Sequence, residues 1–595
     1  MFYFLSYSLA GLVVAFSTDL TYVEVALVVV LGLARPFFLK SWLDRTEQIW
    51  SRLAMQRQAC IAAAFFVPIV FRVAVLPWNP VPQPWIPDEF SHLLIGDTLA
   101  HGRFSNPTHP LWQHFESMHV LFLPTYASTY FPGLGILLAL GEHLGLPWIG
   151  VLLSSGLMCA ALLWMLYGFF PPRWALLGGA LAVLRWGAFS YWVNGYLGGT
   201  VGAAAGALAL GAYARLRGEA SASGSVVLGL GFVFLAYTRP LEGFVLAVPI
   251  ASALLWRYRS LLRPRPCLRF LIPAGAIVAM GLVGLGLYFD AITGSPTVLP
   301  YRVNQAIYGW PLTLPWDHPQ PATYRHTNMR LYYEWERCIQ SEKAFPASLT
   351  VYSFYHLFPI WRFFWGPVLT IPLLGIWCWR RDRCIRMLAV TSAAALVTAL
   401  VIAAYPHYIA PATGGFLGLT VQGFRHLRAW NRKSTRTGTA WSRAIVATCV
   451  LMLLIRTFIP STLFPEFFYS ARGTGQGYWR AALVRRLESI PGNHVVFVQY
   501  NRPYYLTTEW VYNAADIDRS RIVWAQDMGP EQNAEVLRYY PDRRAWLTRP
   551  DDAPDELLSY RADIARVDHV TPVTRTVCRE VSPTELRSKV HRPPR

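Results

Sequence analysis

Long apolar stretches alternate with short polar loops along most of the chain. Thirteen segments read as helices that cross or enter a lipid bilayer: 9–34, 61–77, 133–145, 148–170, 175–189, 198–214, 225–238, 242–256, 270–289, 368–379, 387–404, 408–420 and 444–459. Several approach the roughly 20 residues that an α-helix needs to cross a hydrocarbon core about 30 Å thick. After Pro460 the pattern changes. The periodicity there predicts helices over 479–490 and 531–540, and strands over 494–500, 521–526 and 544–548. Strand alternating with helix suggests a small α/β module with a parallel sheet. The fold expected is a polytopic α-helical membrane protein of about 11–13 transmembrane helices. It spans residues 1–460 and carries a soluble α/β domain over 461–595.

Composition sharpens this picture. Hydrophobic residues make up 54% of the chain and charged residues 15%, where a soluble protein carries about 25% charged. A net charge of +19 would suit nucleic acid, but the basic residues cluster in the loops 35–57, 257–269, 380–386 and 425–443, between apolar segments. In such places they orient the chain and meet membrane lipids, and no nucleic-acid partner is implied. The positive-inside rule makes these four loops cytoplasmic. The loops 78–132 and 290–365, and everything after Pro460, then lie outside, so the α/β domain is extracytoplasmic. Six apolar segments separate the outside loop ending at Pro132 from the inside loop beginning at Arg257, and an odd number of crossings is required. Either one of these segments is re-entrant or two of them form one broken helix; the interruption Thr238-Arg239-Pro240 makes 225–256 the preferred case, because proline breaks the helical ladder. Gly198, Gly202 and Gly206 repeat at four-residue spacing and predict a close helix-packing face. The N-terminus has no basic region or small-residue cleavage site, so it is not read as a removable signal peptide.

Candidate chemistry concentrates in the first outside loop. In Trp85-Ile86-Pro87-Asp88-Glu89-Phe90-Ser91-His92, Pro87 and Asp88 read as a helix start. Asp88 and His92, four apart, then share one helix face. A plain helix cap explains Asp88 on local grounds alone, but the same loop also holds His101, Asn106, His109, His114 and His119 at an aromatic-rich interface. Arg72, Arg185 and Arg239 fall in or beside apolar segments, where a charge is costly and defaults to function; for Arg72, snorkelling to the interface is the alternative. Gly473-Thr474-Gly475-Gln476-Gly477 looks like a phosphate loop, but no strand precedes it. No HExxH pattern occurs, and a divalent cation is retained only as a possible cofactor. Cys338 and Cys578 are the cysteines left outside; an oxidising compartment permits a bridge between them, and two free thiols are the alternative.

An acidic pair in the first outside loop, a long second outside loop and a C-terminal outside domain resemble the GT-C superfamily of membrane glycosyltransferases. Asp88-Glu89-Phe90-Ser91, His101-Gly102-Arg103, Asn106-Pro107-Thr108-His109-Pro110-Leu111-Trp112 and Tyr130-Phe131-Pro132-Gly133 resemble bacterial members near the protein mannosyltransferase and aminoarabinose transferase branch. The resemblance implies a bacterial inner-membrane enzyme with a periplasmic site. It implies a polyprenyl-phosphate-linked sugar as donor, a lipid or glycan acceptor hydroxyl, and inversion by direct displacement. Asp88 takes the family's acidic position, with Glu89 beside it and His92 to orient it. Arg72, His101, Arg103, Asn106, His109, Tyr130, Asn194 and Arg239 are the expected substrate-binding residues. Thr129 stands where relatives often place a lysine that reaches the lipid phosphate, so an arginine elsewhere would have to substitute. A transporter or flippase of lipid-linked saccharides, or a non-catalytic relative serving as an assembly partner, are the other readings.

Overall fold

The structure is a computed structural model. It describes residues 20–34, 40–258, 264–310, 322–341, 357–374, 385–401, 405–430, 437–458, 476–500 and 508–560. Cys578, most of the 473–477 glycine run and the side chain of Cys338 lie outside the described residues.

Five described helices are long and apolar enough to cross a membrane: Arg57–Ala74, Pro147–Phe169, Pro240–Tyr258, Leu271–Thr293 and Thr437–Phe458. Shorter apolar helices include Thr21–Ala34, Gly133–His143, Ala222–Thr238 and Arg386–Leu400. Their outer surfaces expose large apolar side chains such as Phe66, Val70, Met280, Val283 and Leu287, a surface suited to lipid and costly in water.

Contacts at the helix ends define two faces of the bundle. Helix α1 (Thr21–Ala34) leads into the amphipathic α2 (Lys40–Leu53), whose Glu47 pairs with Arg428 and Arg443. Helix α3 (Arg57–Ala74) starts at this arginine face, with Arg57 over the Tyr167 ring, and ends with Arg72 over Trp148. Helix α4 (Pro87–Ala100) belongs to the loop at the opposite face, with the hairpin β1 (Val120–Leu121) and β2 (Ala127–Ser128). Next come α5 (Gly133–His143), α6 (Pro147–Phe169), α7 (Pro172–Trp186), α8 (Gly199–Leu216), α9 (Ala222–Thr238), α10 (Pro240–Tyr258) and α11 (Pro264–Thr293).

These contacts correct the expectation about the broken helix. The chain does break at Arg239, but α9 and α10 form an antiparallel hairpin: α9 begins beside Leu216, and α10 returns so that the Tyr258 hydroxyl donates to the Leu216 carbonyl. Both therefore run between the faces. The segment that does not cross is α5. It starts against Tyr237 and Thr238 at the loop face and ends at Gly141, packed against Pro147 and Gly150, where α6 begins its descent. Eleven residues give about 16 Å of helix, half a bilayer. The five helices α6–α10 then each run from one face to the other, an odd number. Gly202 and Gly206 do form a packing face, against Ala410 and Pro411; Gly198 instead caps α8 at φ +73°, a conformation that favours glycine.

Beyond α11, helices α12 (Pro300–Tyr308) and α13 (Thr327–Ser341) lie in the second loop-face segment. Helices α14 (Gly366–Leu373), α15 (Arg386–Val401), α16 (Thr413–Ala429) and α17 (Thr437–Phe458) complete the bundle. The C-terminal α/β region contains α18 (Gln476–Ser489), β3 (His494–Val498), β4 (Ile522–Gln526), α19 (Pro530–Tyr539), β5 (Arg544–Arg549) and β6 (Ala553–Ser559). Its sheet order is β4-β3-β5-β6, with β3 parallel to both neighbours and β6 antiparallel to β5. The sequence pattern does not reveal β6, because it is an edge strand with mostly solvent-accessible residues and no apolar alternation.

Candidate active site at the loop face

Helix α4 opens with Ile86 as cap and Pro87 at its first position, which places Asp88 and Glu89 in the first turn near the positive end of the helix dipole. Their environments differ. The Glu89 carboxylate is buried and accepts the backbone N–H of Trp85 (3.0 Å) and of Tyr196 (3.0 Å). It reaches back as a capping-box glutamate does and ties the loop to the turn before α8. Burial pushes its pKa up to about 7. Asp88 is half-buried, and its Oδ1 accepts the Tyr130 hydroxyl at 2.5 Å.

Aromatic rings and histidines surround this pair. His92 stacks on Tyr130 (centroids 4.6 Å, planes 23° apart), and Tyr301 meets Tyr130 edge-on at 5.8 Å. His119 sits at φ +60°, unusual for a non-glycine residue. Its carbonyl accepts the hydroxyls of Ser91 (2.6 Å) and Thr129 (3.1 Å), and its Nε2 bonds the Tyr332 hydroxyl (2.8 Å). The Arg239 guanidinium, at the α9–α10 break, lies over the Tyr408 ring (4.6 Å) and donates to the Leu197 carbonyl (3.3 Å). Its Nε has no hydrogen-bond partner among the described residues, nor has the Nδ1 of His92. His407 bonds the Tyr191 hydroxyl at 2.9 Å. Asp88, Tyr130, Tyr301, Tyr408 and Arg239 all keep accessible surface, whereas His92, His119, His407 and Tyr332 are buried behind them.

The electrostatics follow from this burial. Burial, then the Arg239 charge, holds His92 down to about 3. Burial also lowers His119 and His407. It raises the phenols of Tyr130, Tyr332 and Tyr408, with Asp88 adding to each. At neutral pH these rings are therefore uncharged, and the fields of Arg239 and Asp88 both reach His92, with opposite effect.

The other sequence-selected residues are engaged elsewhere. Arg72 is fully buried and donates to the Asn194 side chain (2.8 Å) and to the carbonyls of Asn79 (2.8 Å) and Pro80 (3.0 Å), so Arg72 and Asn194 clasp the loop to the bundle. Arg185 donates to the carbonyls of Arg362 and Phe363. His101 folds back on Asp97 at the α4 end, and Asn106 bonds Thr98 and pairs with Tyr126. The Nε of Arg103 is buried with no hydrogen-bond partner among the described residues. His109 bonds Asp518 of the C-terminal region. Thr129 is buried with its hydroxyl on the His119 carbonyl, and Arg239 is the cation found beside the Asp88 group. Tyr301, Tyr332, His407 and Tyr408 escape sequence reasoning. They lie more than 200 residues from Asp88, and locally they read as interfacial aromatics.

Among the described residues no group of three or more His, Cys, Asp or Glu side chains is arranged to hold a metal ion. No family model matches the chain, and no curated protein matches it. Solved structures do. The Archaeoglobus fulgidus oligosaccharyltransferase tethered to an acceptor peptide aligns at 12% identity and TM-score 0.46, covering 83% of this chain and 68% of that one. The same protein with an inhibitory peptide and a dolichol-phosphate gives 11%, 0.45, 83% and 69%. ArnT from Cupriavidus metallidurans, bound to undecaprenyl phosphate, gives 12%, 0.44, 83% and 94%.

Proposed function

We propose that the protein transfers a sugar from a polyprenyl-phosphate-linked donor to an acceptor hydroxyl at the loop face of the membrane. The observation that carries this reading is Asp88: a partly exposed carboxylate, steered by the Tyr130 hydroxyl, among aromatic rings that keep accessible surface and near an arginine whose Nε has no hydrogen-bond partner among the described residues. The acceptor oxygen attacks the anomeric carbon, and the bond from that carbon to the phosphate oxygen breaks with inversion. Asp88 takes the acceptor proton. The polyprenyl phosphate leaves with the bonding electrons, and Arg239 meets its growing charge. Tyr301 offers a ring to the sugar and stabilises positive character developing at the anomeric carbon, while Tyr408 holds the Arg239 guanidinium on its face. The buried neutral histidines hold the rings in place.

The test uses membranes containing equal amounts of wild-type and Asp88→Asn protein, supplied with radiolabelled polyprenyl-phosphate sugars. Asparagine keeps the size and helix-start compatibility of aspartate and loses the charge and the basicity. A positioned general base contributes about 10²–10⁴-fold, so transfer should fall by at least that order with folding intact. Wild-type turnover in Asp88→Asn would sink the assignment.

A further inference from the structure

The C-terminal region is docked directly on the loop that carries Asp88. Gly477 approaches the Gln83 and Pro84 carbonyls so closely that a Cβ would lie 2.6 and 3.0 Å from their oxygens. Phe90 of α4 stacks on Tyr512 (4.8 Å), with the Arg480 guanidinium 5.0 Å from the Phe90 ring centroid. Ala515 N–H donates to Asp97, the Tyr126 hydroxyl to the Asn513 carbonyl, and the Gln526 amide to the Glu116 carbonyl.

One residue in this contact reaches both flanks of the site. The Glu509 N–H donates to the Trp85 carbonyl (3.0 Å), and Trp85 in turn donates its own N–H to Glu89. The Glu509 carboxylate, buried at 2% exposure, accepts four donors. Its Oε1 takes the N–H groups of Trp510 (2.9 Å) and Val511 (2.9 Å) and the Tyr500 hydroxyl (3.1 Å). Its Oε2 takes the N–H of Met118 (3.2 Å), the residue before His119. All four partners donate to it, which favours the ionised carboxylate. Burial nevertheless pushes Glu509 up to about 7.

We propose that Glu509 is a positioning residue for the transfer site, through which the C-terminal domain fixes the left-handed His119 turn and the first turn of the Asp88 helix. This rests on the transferase reading above. A helix start and a strained turn both gain order from a clamp outside the bundle, and His119 passes that order to Tyr332 through its Nε2. The domain is then part of the site's framework.

The test measures transfer kinetics and backbone hydrogen exchange on the purified full-length protein. Glu509→Gln keeps one acceptor oxygen for its own domain and turns an NH₂ group towards the Met118 N–H, donor against donor. The expected result is a fall of about 10–100-fold in kcat with donor KM within about threefold, the signature of lost alignment. Exchange at Met118 and His119 should quicken at least about tenfold, with β3–β5 unchanged, because a buried donor has lost its acceptor. Wild-type exchange at Met118 and His119 together with wild-type kcat overturns the proposal. If Glu509→Gln loosens the whole domain, Glu509→Asp decides: one methylene shorter, it keeps the charge and withdraws from Met118, and unchanged kcat and exchange there also overturn it. Should the wild type transfer no sugar, the transferase reading falls. The exchange arm then still decides whether Glu509 holds the Met118–His119 turn.

Discussion

Two consecutive carboxylates open α4, and what surrounds each of them sets its task. Asp88 retains accessible surface and one engaged oxygen, so it can meet a substrate proton. Glu89 is enclosed and spends both oxygens on backbone N–H groups. Its raised pKa makes a stability prediction. The folded protein holds the Glu89 proton over a window, about pH 4.5 to 7, in which the unfolded chain has already lost it. The contribution is therefore present at low pH and lost as pH rises through that window. Glu89→Gln removes the dependence. Relative to the wild type it should gain on the order of 3 kcal/mol between pH 5 and pH 8, read as a widening difference in Tm. Parallel pH profiles for the two proteins would show that the Glu89 carboxyl is not enclosed as described.

At the scale of elements, α5 is the instructive case. Its composition matches that of a membrane helix, and its length does not. Gly135 and Gly96 let α4 and α5 approach until Ile95 and Leu138 fill the space where side chains would stand, while Gly150 lets the α5 backbone lie against the start of α6. A Cβ at Gly150 would sit 1.9 Å from the Leu137 carbonyl oxygen. This packing folds α5 under the Asp88 helix as a floor and leaves both its ends at the loop face. Exposed residues at the far ends of α4 and α5 should thus label from one side. With native cysteines replaced, His101→Cys and His143→Cys should both react with a membrane-impermeant maleimide in intact cells. Labelling of His143→Cys only after permeabilisation would make α5 a crossing helix.

At the scale of the molecule, Arg428 and Arg443 mark one end of the bundle, and the first loop, the described parts of the second loop and the α/β region gather at the other. Glu47, held by Arg428 and Arg443, pins α2 to that arginine end. The opposite end is built from contacts between distant parts of the chain: His326 donates its Nε2–H to the Gln113 carbonyl, Tyr308 donates to Glu116, and His109 meets Asp518. The α/β region should consequently share its compartment with Asp88. Arg538→Cys, on the exposed side of α19, is expected to label with the same impermeant reagent and the same efficiency as His101→Cys. Labelling confined to permeabilised cells would place the domain on the arginine side and remove it from the site.

Local pattern is enough to read the membrane class, the basic loops, the position of the α/β elements other than β6, and the chain break at Arg239. These are read from hydropathy, charge and proline, which act over a few neighbouring residues. Asp88 and Arg239 drew notice as charges at or inside the membrane interface, and Tyr130 through the motif that resembles the GT-C family. Only the tertiary structure decided which apolar helix fails to cross, since α5 and a short spanning helix have the same local pattern and differ only in where their ends pack. Tertiary structure alone also separated Asp88 from Glu89, turned Arg72 and Asn194 into a clasp, and brought Tyr301, Tyr332, His407 and Tyr408 to the Asp88 group. The physical reason is the same in each case. Burial and hydrogen-bond partners set what a polar side chain can do, and those partners come from segments that no periodicity or spacing connects.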